Sequence, residues 1–369
     1  MKVGITGQSG FIGTHITNVF NLKNDIILIP FENSYFNEPD KLYEFVRKCN
    51  IIIHLAAINR HEEAPYIYKT NITLVQKLID ACIITKATPH IIFASSTQEE
   101  NNNAYGCSKK DGRLLFEKWA KKYKATFTGL IIPNVYGPFS TPYYNSVVAT
   151  FCYQLNNDIK PVINIDNITK FIFVHELIDY IYKIIKGSIK KQMVKVPYTK
   201  TIKISTLLKQ LKYFKEYYFD KGIIPDLHNS FERNLFNTFR CFIPEHHFPK
   251  KLTTHTDERG TFVEVIKTES GGQFSYSTTK PGITRGNHYH TRKAERFAII
   301  QGEAKIQLRK INTKEIIEYH LKGDDPSFVD MPIWYIHNMT NIGNTELICL
   351  FWTSEIFNPE DPDTYFELI

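Results

Sequence analysis

The chain has 369 residues, of which 43% are hydrophobic and 22% charged, and its formal net charge is +7. This length is typical of two domains, since a domain usually holds roughly 100–200 residues. The composition excludes a disordered chain, and the lysines are too dispersed for a nucleic-acid-binding surface. No apolar run reaches the roughly 18 residues that cross a bilayer, and no signal-peptide pattern opens the chain. We therefore expect a soluble, cytoplasmic protein that binds neither membrane nor nucleic acid.

The first half of the sequence alternates short apolar runs with longer amphipathic segments. The runs that predict buried strands are KVGIT, DIILI, NIIIHLA, HIIFASS and FTGLIIP. Two of the intervening segments, TNITLVQKLIDACII and KKDGRLLFEKWAKKY, predict helices. Continuous apolar strands separated by helices indicate a parallel sheet that is covered on both faces. We predict a doubly wound, Rossmann-type α/β domain over residues 1–243.

The second half has a different texture after the proline-containing segment IPEHHFPKK. Short alternating strands follow one another with turns at regular spacing, and no long helix is predicted. The strand segments are TFVEVIK, GQFSYSTTK, ERFAIIQG, EAKIQLRKI, EIIEYHL, PSFVDMP and ELICLFWT. This pattern indicates an all-β sandwich or barrel over residues 244–369. The six cysteines are scattered without a CxxC pair, so neither a disulfide framework nor a thiolate zinc site is predicted.

A glycine turn follows the first predicted strand, with Gly7, Gly10 and Gly13 in GQSGFIG. Glycines at this spacing allow a tight turn and a close approach of backbone to a pyrophosphate, which the following helix N-terminus attracts. The turn therefore predicts a dinucleotide site. After the second strand, Glu32 stands where an acid would accept a hydrogen bond from a free ribose 2′-hydroxyl, and no arginine is present for a 2′-phosphate. The local pattern thus leans towards NAD.

The segment FASSTQEENNNAYGCSKK contains Ser95, Ser96, Tyr105 and Lys109. Tyr105 and Lys109 are four residues apart on a predicted helix, so both project from one face. A lysine ammonium beside a phenol is expected to lower the phenol's pKa, so that Tyr105 can exchange a proton with a carbinol oxygen during hydride transfer. A serine at the end of the preceding strand would hydrogen-bond the same oxygen.

This first half resembles the extended short-chain dehydrogenase/reductase family over roughly 240 residues. HLAAINR is similar to the family's loop that lines the cofactor, and PNVYGP to its segment between nicotinamide and substrate; Ile131 departs from the pattern, because relatives often carry an arginine there. The resemblance implies Ser96, Tyr105 and Lys109 as catalytic residues. It implies a substrate-binding set of Ser95, Asn134 and Asn145. It also implies a cofactor-binding set of Gly7, Gly10, Phe11, Ile12, Gly13, Leu55, Ala56, Ala57, Tyr105, Lys109 and Pro133.

In the second half, GITRGNHYHTRKAERFAIIQG is similar to the first cupin motif, with His288, His290 and Glu295 at its ligand positions. PIWYIHNMTN is similar to the second motif and supplies His337, although Trp334 replaces its usual glycine. On one strand His288 and His290 point to the same side, and Glu295 lies on the next antiparallel strand. Three imidazoles and one carboxylate suit zinc, iron, nickel or manganese. The alternative is a metal-free cupin in which these groups hydrogen-bond to one another.

Another resemblance overlaps the cupin motif. DERGTFVE, residues 257–264, and TRGNHYH look like segments of the dTDP-sugar 3,5-epimerases, which use an RGxH histidine to remove a proton beside a ketone. In this chain that histidine is His288, so a role as base competes with a role as metal ligand. Arg285 is a candidate for holding the substrate enolate oxygen.

The two halves together resemble the CapF family of bifunctional capsular polysaccharide synthesis enzymes. The resemblance is carried by ITGQSGFIG, YYNSVVATFCY, TTKPGITRGNHYH and the tail FNPEDPDTYFELI. It implies a homodimer with zinc in the cupin domain and a UDP-linked 4-keto-6-deoxy-hexosamine as substrate. Carbon 3 would be inverted in the cupin domain, and the carbon 4 ketone then reduced with NADPH.

Several alternatives remain open. The product would be the L-talo sugar, or the L-manno sugar if hydride reaches the other face of the ketone. NADH is the alternative to NADPH, and another divalent ion the alternative to zinc. The cupin domain would otherwise be a binding or dimerisation module without turnover. An oxygen-activating iron cupin would not explain the reductase half.

Overall fold

The computed structural model describes residues 1–187, 191–252, 254–257, 260–263, 266–269, 272–355 and 358–369. The chain divides into two compact units. The first comprises Met1–Thr150 and Asn164–Ile204, and the second comprises Phe151–Ile163 and Ser205–Ile369. Across the described ranges, no helix combines the length and the apolar character that a membrane span requires.

Strands and helices alternate from the N-terminus to residue 203. They are β1 (Lys2–Thr6), α1 (Phe11–Asn21), β2 (Ile27–Ile29), α2 (Pro39–Lys48), β3 (Ile51–His54), α3 (Ala64–Thr85), β4 (His90–Ser96), α4 (Ala104–Tyr123), β5 (Phe127–Ile132), β6 (Asn134–Tyr136), α5 (Val147–Asn156), β7 (Ile168–Phe173), α6 (Val174–Ile185), β8 (Met193–Lys195) and β9 (Lys200–Lys203). Each of the five predicted strands is present, and the two predicted helices lie within α3 and α4.

Six of these strands form one parallel sheet in the order β2-β1-β3-β4-β5-β8. Its central strands are apolar along their whole length because helices cover both faces; Ile52, Ile53 and Leu130 are fully buried. The chain leaves β1 to one side for β2 and to the other side for β3. This reversal creates a crevice outside the carboxyl end of β1, where ligands bind in open α/β sheets. The predicted doubly wound fold is confirmed.

The second unit is mostly antiparallel sheet, preceded by two helices. Its elements are α7 (Ile204–Phe214), β10 (Ile223–Ile224), α8 (Ser230–Arg240), β11 (Lys250–Lys251), β12 (Thr254–Asp257), β13 (Gly260–Val263), β14 (Lys267–Thr268), β15 (Gln273–Thr279), β16 (Thr284–Tyr289), β17 (Glu295–Gln301), β18 (Glu303–Lys310), β19 (Ile316–Lys322), β20 (Ser327–Met331), β21 (Tyr335–Asn341), β22 (Leu347–Thr353) and β23 (Tyr365–Phe366).

Two five-stranded antiparallel sheets carry the core of this unit, in the orders β11-β20-β17-β22-β15 and β19-β18-β21-β16-β23. Side chains from both sheets meet in one apolar cluster, including Ile299 and Val329 from one sheet and Ile306 and Met339 from the other. This is the double-sheet architecture of a cupin jelly roll, as predicted. The predicted strand TFVEVIK corresponds in part to β13 and β14, and residues 264–265 lie outside the described ranges.

The border of the second unit lies at residue 205, whereas the change of sequence texture lies near residue 243. The residues in between contact the β-rich part of the unit through hydrogen bonds. Asn237 of α8 donates to the Arg292 carbonyl at 3.2 Å, and the short strand β10 pairs with β14. Arg296 of β17 forms a buried bidentate pair with Asp330 and also donates to the Gly222 carbonyl at 3.2 Å. These contacts connect residues 205–243 to the sheets, although their local sequence is helical.

Candidate functional site

The glycine turn has the geometry that a phosphate cradle requires. Gly7 has a φ of 76°, in the left-handed region, and a Cβ there would lie 2.8 Å from the Ala56 amide nitrogen. A Cβ on Gly13 would lie 2.2 Å from the Gly7 carbonyl oxygen. Larger side chains would therefore push the turn away from the helix. Helix α1 begins at Phe11 and Ile12 with Gly10 as its N-cap and no acid in its first turn, so its positive end is suited to an anion.

The predicted cofactor and substrate residues of the first unit collect at one edge of the parallel sheet. Gly7 follows β1, Glu32 follows β2, Leu55, Ala56 and Ala57 follow β3, Ser95 and Ser96 end β4, and Pro133 follows β5. The carboxyl ends of parallel strands meet at the same edge, so the fold brings these positions together. The predicted cofactor and substrate residues therefore line the crevice along one edge of the sheet.

Polar contacts hold the loop after β3 against α4. The Ile58 amide donates to Asn71 Oδ1 at 2.8 Å, and the Asn71 amide group donates to the Ile58 carbonyl at 2.9 Å. The same group donates to Ser108 Oγ at 2.9 Å, and Ser108 in turn donates to the Tyr105 carbonyl at 2.7 Å. Our sequence reasoning missed Asn71 and Ser108. The signal available in the sequence was a polar residue on the apolar face of each amphipathic helix.

Tyr105 and Lys109 share one face of α4, as predicted, and this face lies over the end of β4. The Lys109 ammonium donates to the Ala94 carbonyl at 2.9 Å and lies 5.7 Å from the centre of the Tyr105 ring. A Cβ on Gly106 would lie 2.1 Å from the Gln98 carbonyl oxygen, so the first turn of α4 presses against the turn after Ser96. Tyr105 is therefore placed beside the strand end that carries the two serines.

The ionisation of this pair differs from our expectation. Burial raises the pKa of Tyr105 to about 12 and lowers that of Lys109 to about 8. The pKa of Tyr105 is therefore raised in this structure and not lowered as we predicted, because burial disfavours the charged phenolate. A phenol with this pKa is protonated at neutral pH, the state that can donate a proton.

The two serines have different surroundings. Ser95 is buried and its hydroxyl donates to Glu99, which Arg113 binds through Nε and Nη2. Ser96 is half-buried, and its hydroxyl accepts a hydrogen bond from the Gln98 amide at 3.1 Å while its own proton can be donated elsewhere. Of the two, Ser96 is better suited to a substrate oxygen, in line with its predicted catalytic role.

The predicted substrate residues beyond β5 are exposed. Asn134 begins β6 and donates to the Lys170 carbonyl at 3.4 Å. Asn145 lies in the loop before α5, and Arg60 donates to the Tyr143 carbonyl of that loop at 2.6 Å. Ile131 is half-buried and pairs with Ser95 across the sheet. Both asparagines are therefore accessible.

The four predicted metal ligands converge in the second unit. One ligand atom from each of His288, His290, Glu295 and His337 lies within 4.8 Å of the others. Glu295 Oε2 lies 3.1 Å from Nε2 of His290 and 3.1 Å from Nε2 of His337. His290, Glu295 and His337 are buried and His288 is half-buried. The cluster thus opens on the side of His288.

The strands that hold this cluster belong to different sheets. His288 lies on β16 with His290 just after it, and His337 lies opposite His288 on β21. Glu295 begins β17, which is the next long strand of the chain but pairs with β20 and β22 in the other sheet. The carboxylate therefore reaches the imidazoles across the sandwich interior, and not from a neighbouring strand.

Hydrogen bonds at the far side of two imidazoles define their tautomers. His290 Nδ1 lies 2.6 Å from the Asp363 carbonyl oxygen, and His337 Nδ1 lies 3.2 Å from the Tyr335 carbonyl oxygen. A carbonyl only accepts, so each Nδ1 carries the hydrogen and each Nε2 presents a lone pair. Both Nε2 atoms and Glu295 Oε2 are buried without a hydrogen-bond partner of good geometry in the described structure. Two lone pairs and a carboxylate oxygen facing one another fit a divalent cation.

Electrostatics support the same arrangement. Burial alone would raise the pKa of Glu295, but in the absence of an ion His290 and His337 outweigh burial when their Nε2 atoms carry a proton, and they hold this pKa well below its usual range. Burial alone would lower the pKa of His290, but Glu295 in turn raises it. Burial and the neighbouring imidazoles lower the pKa of His288 to about 4. Glu295 is therefore ionised and His288 neutral at pH 7, which are the forms that bind a metal.

Two further predicted features, Arg285 and the segment DERGTFVE, come from the epimerase resemblance. Arg285 lies on β16, is exposed, and donates through Nε to Thr279 Oγ1 at 3.0 Å. The segment DERGTFVE, residues 257–264, lies outside the residues whose side chains the structure describes.

Family comparisons agree with both halves of this description. Residues 3–196 match the NAD dependent epimerase/dehydratase family, and residues 255–365 match the polysaccharide biosynthesis C-terminal domain. The chain belongs to the NAD dependent epimerase/dehydratase family. It is therefore an enzyme built on a nicotinamide-dependent fold, with a second domain that other polysaccharide biosynthesis proteins share.

One curated relative and one solved structure are similar to this chain over its whole length or nearly so. It is 32% identical over 370 residues to UDP-2-acetamido-2,6-beta-L-arabino-hexul-4-ose reductase of Pseudomonas aeruginosa, covering 99% of this chain and 98% of the relative. Its structure is similar to that of the capsular polysaccharide assembling protein CapF of Staphylococcus aureus, with 31% identity, a TM-score of 0.64 and full coverage of both chains. RMD of Pseudomonas aeruginosa complexed with NADPH shares the fold at 19% identity and TM-score 0.53, covering 58% of this chain and 85% of that one.

Proposed function

We propose that this enzyme converts a UDP-linked 2-acetamido-2,6-dideoxy-L-arabino-hexos-4-ulose to a UDP-linked 6-deoxy-L-hexosamine in two steps. The cupin domain, residues 244–369, inverts carbon 3, and the reductase domain, residues 1–243, reduces the carbon 4 ketone. The observation that carries the proposal is the presence, in one chain, of a Tyr105–Lys109 pair at a dinucleotide crevice and a three-histidine, one-carboxylate cluster. The full-length similarity to a reductase of such a 4-ulose supports the substrate class.

In the reductase domain, a reduced nicotinamide would, when bound, supply the hydride for the ketone carbon. Tyr105 donates its phenolic proton to the ketone oxygen, and its raised pKa keeps that proton available at neutral pH. The Lys109 ammonium stabilises the phenolate that remains, and Ser96 donates a hydrogen bond to the same oxygen. The glycine turn and the N-terminus of α1 would hold the cofactor pyrophosphate.

In the cupin domain, His288, His290, Glu295 and His337 would hold a divalent cation, for which zinc is our assignment. Such a cation stabilises negative charge on an oxygen, the charge that develops on the ketone oxygen when carbon 3 loses its proton. Arg285, which is exposed on the strand of His288, is our candidate for holding the enolate oxygen of the substrate. We assign His288 to the ligand set and not to the base, because its ligand nitrogen lies with the other three ligand atoms.

Both steps use the same ketone. The carbonyl at carbon 4 acidifies the proton on carbon 3, so inversion requires the ketone, and reduction then removes it and ends the exchange. With both sites in one chain, inversion at carbon 3 can precede the reduction that removes the ketone. We place the enzyme in the cytoplasm, where UDP-sugars and reduced nicotinamide are available. We further propose that it is a homodimer.

Incubating the 4-ulose substrate with enzyme in deuterium oxide tests the division of labour. Without reduced cofactor, we expect deuterium at carbon 3 and no reduction; adding NADPH should give a product deuterated at carbon 3. Reduction without carbon 3 exchange would instead support a cupin domain that only binds or dimerises. Replacing His337 by Ala should abolish exchange, while replacing the exposed His320 by Ala on another strand should not.

The product's configuration at carbon 4 is tested by proton NMR. We assign the L-talo sugar, with L-manno as the alternative because Ile131 stands where relatives often carry an arginine. The coupling between H3 and H4 is small in the L-talo product. A large coupling, with both protons axial, would overturn the assignment in favour of L-manno.

A further inference from the structure

The C-terminal tail, residues 358–369, lies along the strand that carries His288. Its strand β23 pairs with β16, so that Phe366 lies opposite His288 and Tyr365 opposite Tyr289. The Glu367 amide donates to the Asn287 carbonyl at 2.9 Å. The tail therefore forms the edge of the sheet next to the ion cluster, which consists of His288, His290, Glu295 and His337. Its sequence alone does not indicate this position.

Asp363 connects this tail to the loop that follows His290. Its side chain is buried and accepts hydrogen bonds from the backbone amides of Thr291, Arg292 and Lys293 at 3.0, 3.0 and 2.9 Å, and from the Thr291 hydroxyl at 2.7 Å. The two carboxylate oxygens share these four donors equally. A buried carboxylate with this many donors is well satisfied, so it fixes the course of the loop.

The same residue also contacts a ligand. The Asp363 carbonyl oxygen accepts a hydrogen bond from His290 Nδ1 at 2.6 Å. The backbone of Asp363 has a φ of 42°, in the left-handed region, which is uncommon outside glycine. This conformation lets one residue direct its carboxylate to residues 291–293 and its carbonyl to His290.

We propose that Asp363 is a positioning residue for the ion cluster. Its carboxylate anchors the loop after His290, and its carbonyl holds the His290 ring with hydrogen on Nδ1 and a lone pair on Nε2, facing Glu295. The tail is thereby part of the ion site, although it contributes no ligand. This inference rests on the proposed function for the presence of the ion.

The test compares zinc affinity in full-length Asp363→Asn, Asp361→Asn and the unmodified chain, by competition with a coloured chelator. In Asp363→Asn, the amide nitrogen that replaces one carboxylate oxygen would face two N–H or O–H donors, so the loop and the His290 ring should lose their fixed position. We expect the dissociation constant for zinc to rise about 10–100-fold, the usual effect of losing a group that orients a ligand. Asp361 also lies on the tail and pairs with Arg292 at 2.8 Å, so its substitution is a charge-matched control that should bind zinc unchanged.

Far-UV circular dichroism first establishes whether Asp363→Asn folds. Tight zinc binding by Asp363→Asn would overturn the positioning role and leave the ion assignment intact. Failure of the unmodified chain to bind zinc would overturn the ion assignment and this inference with it. If Asp363→Asn does not fold, nitrogen NMR of the zinc-loaded unmodified chain with labelled histidine decides: zinc on Nε2 of His290 supports the proposal, and zinc on Nδ1 overturns it.

Discussion

Tyr105 and Lys109 lie one turn apart on α4, whereas the ion cluster combines β16 and β21 of one sheet with β17 of the other. The reductase pair is therefore assembled mainly by the geometry of one helix, and its surroundings only set its pKa values. The ion cluster exists only when two sheets and the C-terminal tail are packed together. The difference implies that Tyr105→Phe changes chemistry at constant stability, and that substitution of an ion ligand changes both.

The largest expected effect is on the reductase side of this comparison. Tyr105→Phe removes the proton donor without disturbing the helix, so ketone reduction should fall about 10²–10⁴-fold. Exchange of the carbon 3 proton and the thermal unfolding temperature should stay unchanged. Reduction is followed by loss of absorbance of the reduced nicotinamide, and exchange by NMR in deuterium oxide.

Tyr68→Phe is the matched control for this variant. Its hydroxyl donates to Asp111 at 2.7 Å on the exposed surface, so the same atom is removed away from the crevice. We expect no change in reduction. Equal loss of reduction and exchange in Tyr105→Phe would contradict two separate sites.

The next effect concerns stability in the second unit. His290→Ala should release the ion and lower the unfolding temperature, because an ion present at 100 times its dissociation constant stabilises the native state by about 2.7 kcal/mol. Elemental analysis measures bound zinc, and calorimetry with and without a chelator measures unfolding. The exposed His320, which contacts Glu318 at 2.8 Å on β19, provides the control His320→Ala. A metal-free unmodified protein with full exchange activity would refute the ion assignment.

The pH dependence of reduction separates chemistry from stability. The pKa of Lys109 is lowered to about 8 by burial, so the lysine loses its charge as pH rises through that value and no longer stabilises the Tyr105 phenolate. We expect kcat/KM for the ketone to fall above pH 8, as the free enzyme titrates.

Stability should change with pH in the opposite direction to the rate. Between about pH 8 and the ordinary lysine pKa of 10.5, the folded state binds fewer protons at Lys109 than the unfolded state does. Within that window the contribution of Lys109 to the free energy of unfolding therefore rises with pH. Lys110→Gln changes the exposed neighbour and should leave the rate profile as it is. A profile that stays flat well above pH 8 would show that Lys109 is not the titrating group.

The smallest effect concerns cofactor choice. The family resemblance implies NADPH, whereas Glu32 follows β2 and would repel a 2′-phosphate. We expect a modest NADPH preference that Glu32→Gln increases roughly fivefold, the value of about 1 kcal/mol for one close charge pair in water. The ratio of kcat/KM for NADPH and NADH measures it, with Glu38→Gln, whose carboxylate pairs with Lys41 at 2.7 Å, as control. A clear preference of the unmodified enzyme for NADH would reverse the assignment.

The sequence by itself determined the features that depend on short spacing. Apolar runs identified five strands of the parallel sheet and six strands of the two five-stranded antiparallel sheets. Three glycines located the turn at β1, and a four-residue interval placed Tyr105 and Lys109 on one face. Such patterns are local, because helix and strand periods act over a few residues. The ion ligands were identified from their spacing within two motifs, although His337 lies far along the chain from His290.

Only the tertiary structure decided the features that depend on distant segments. The position of Glu295 in the opposite sheet, the raised pKa of Tyr105 and the attachment of residues 205–243 to the β-rich unit all follow from packing. Asp363 reaches His290 from 73 residues away, and its neighbours in sequence carry no trace of that contact. Burial and hydrogen bonding are set by whichever groups the fold brings together, so a local pattern cannot specify them.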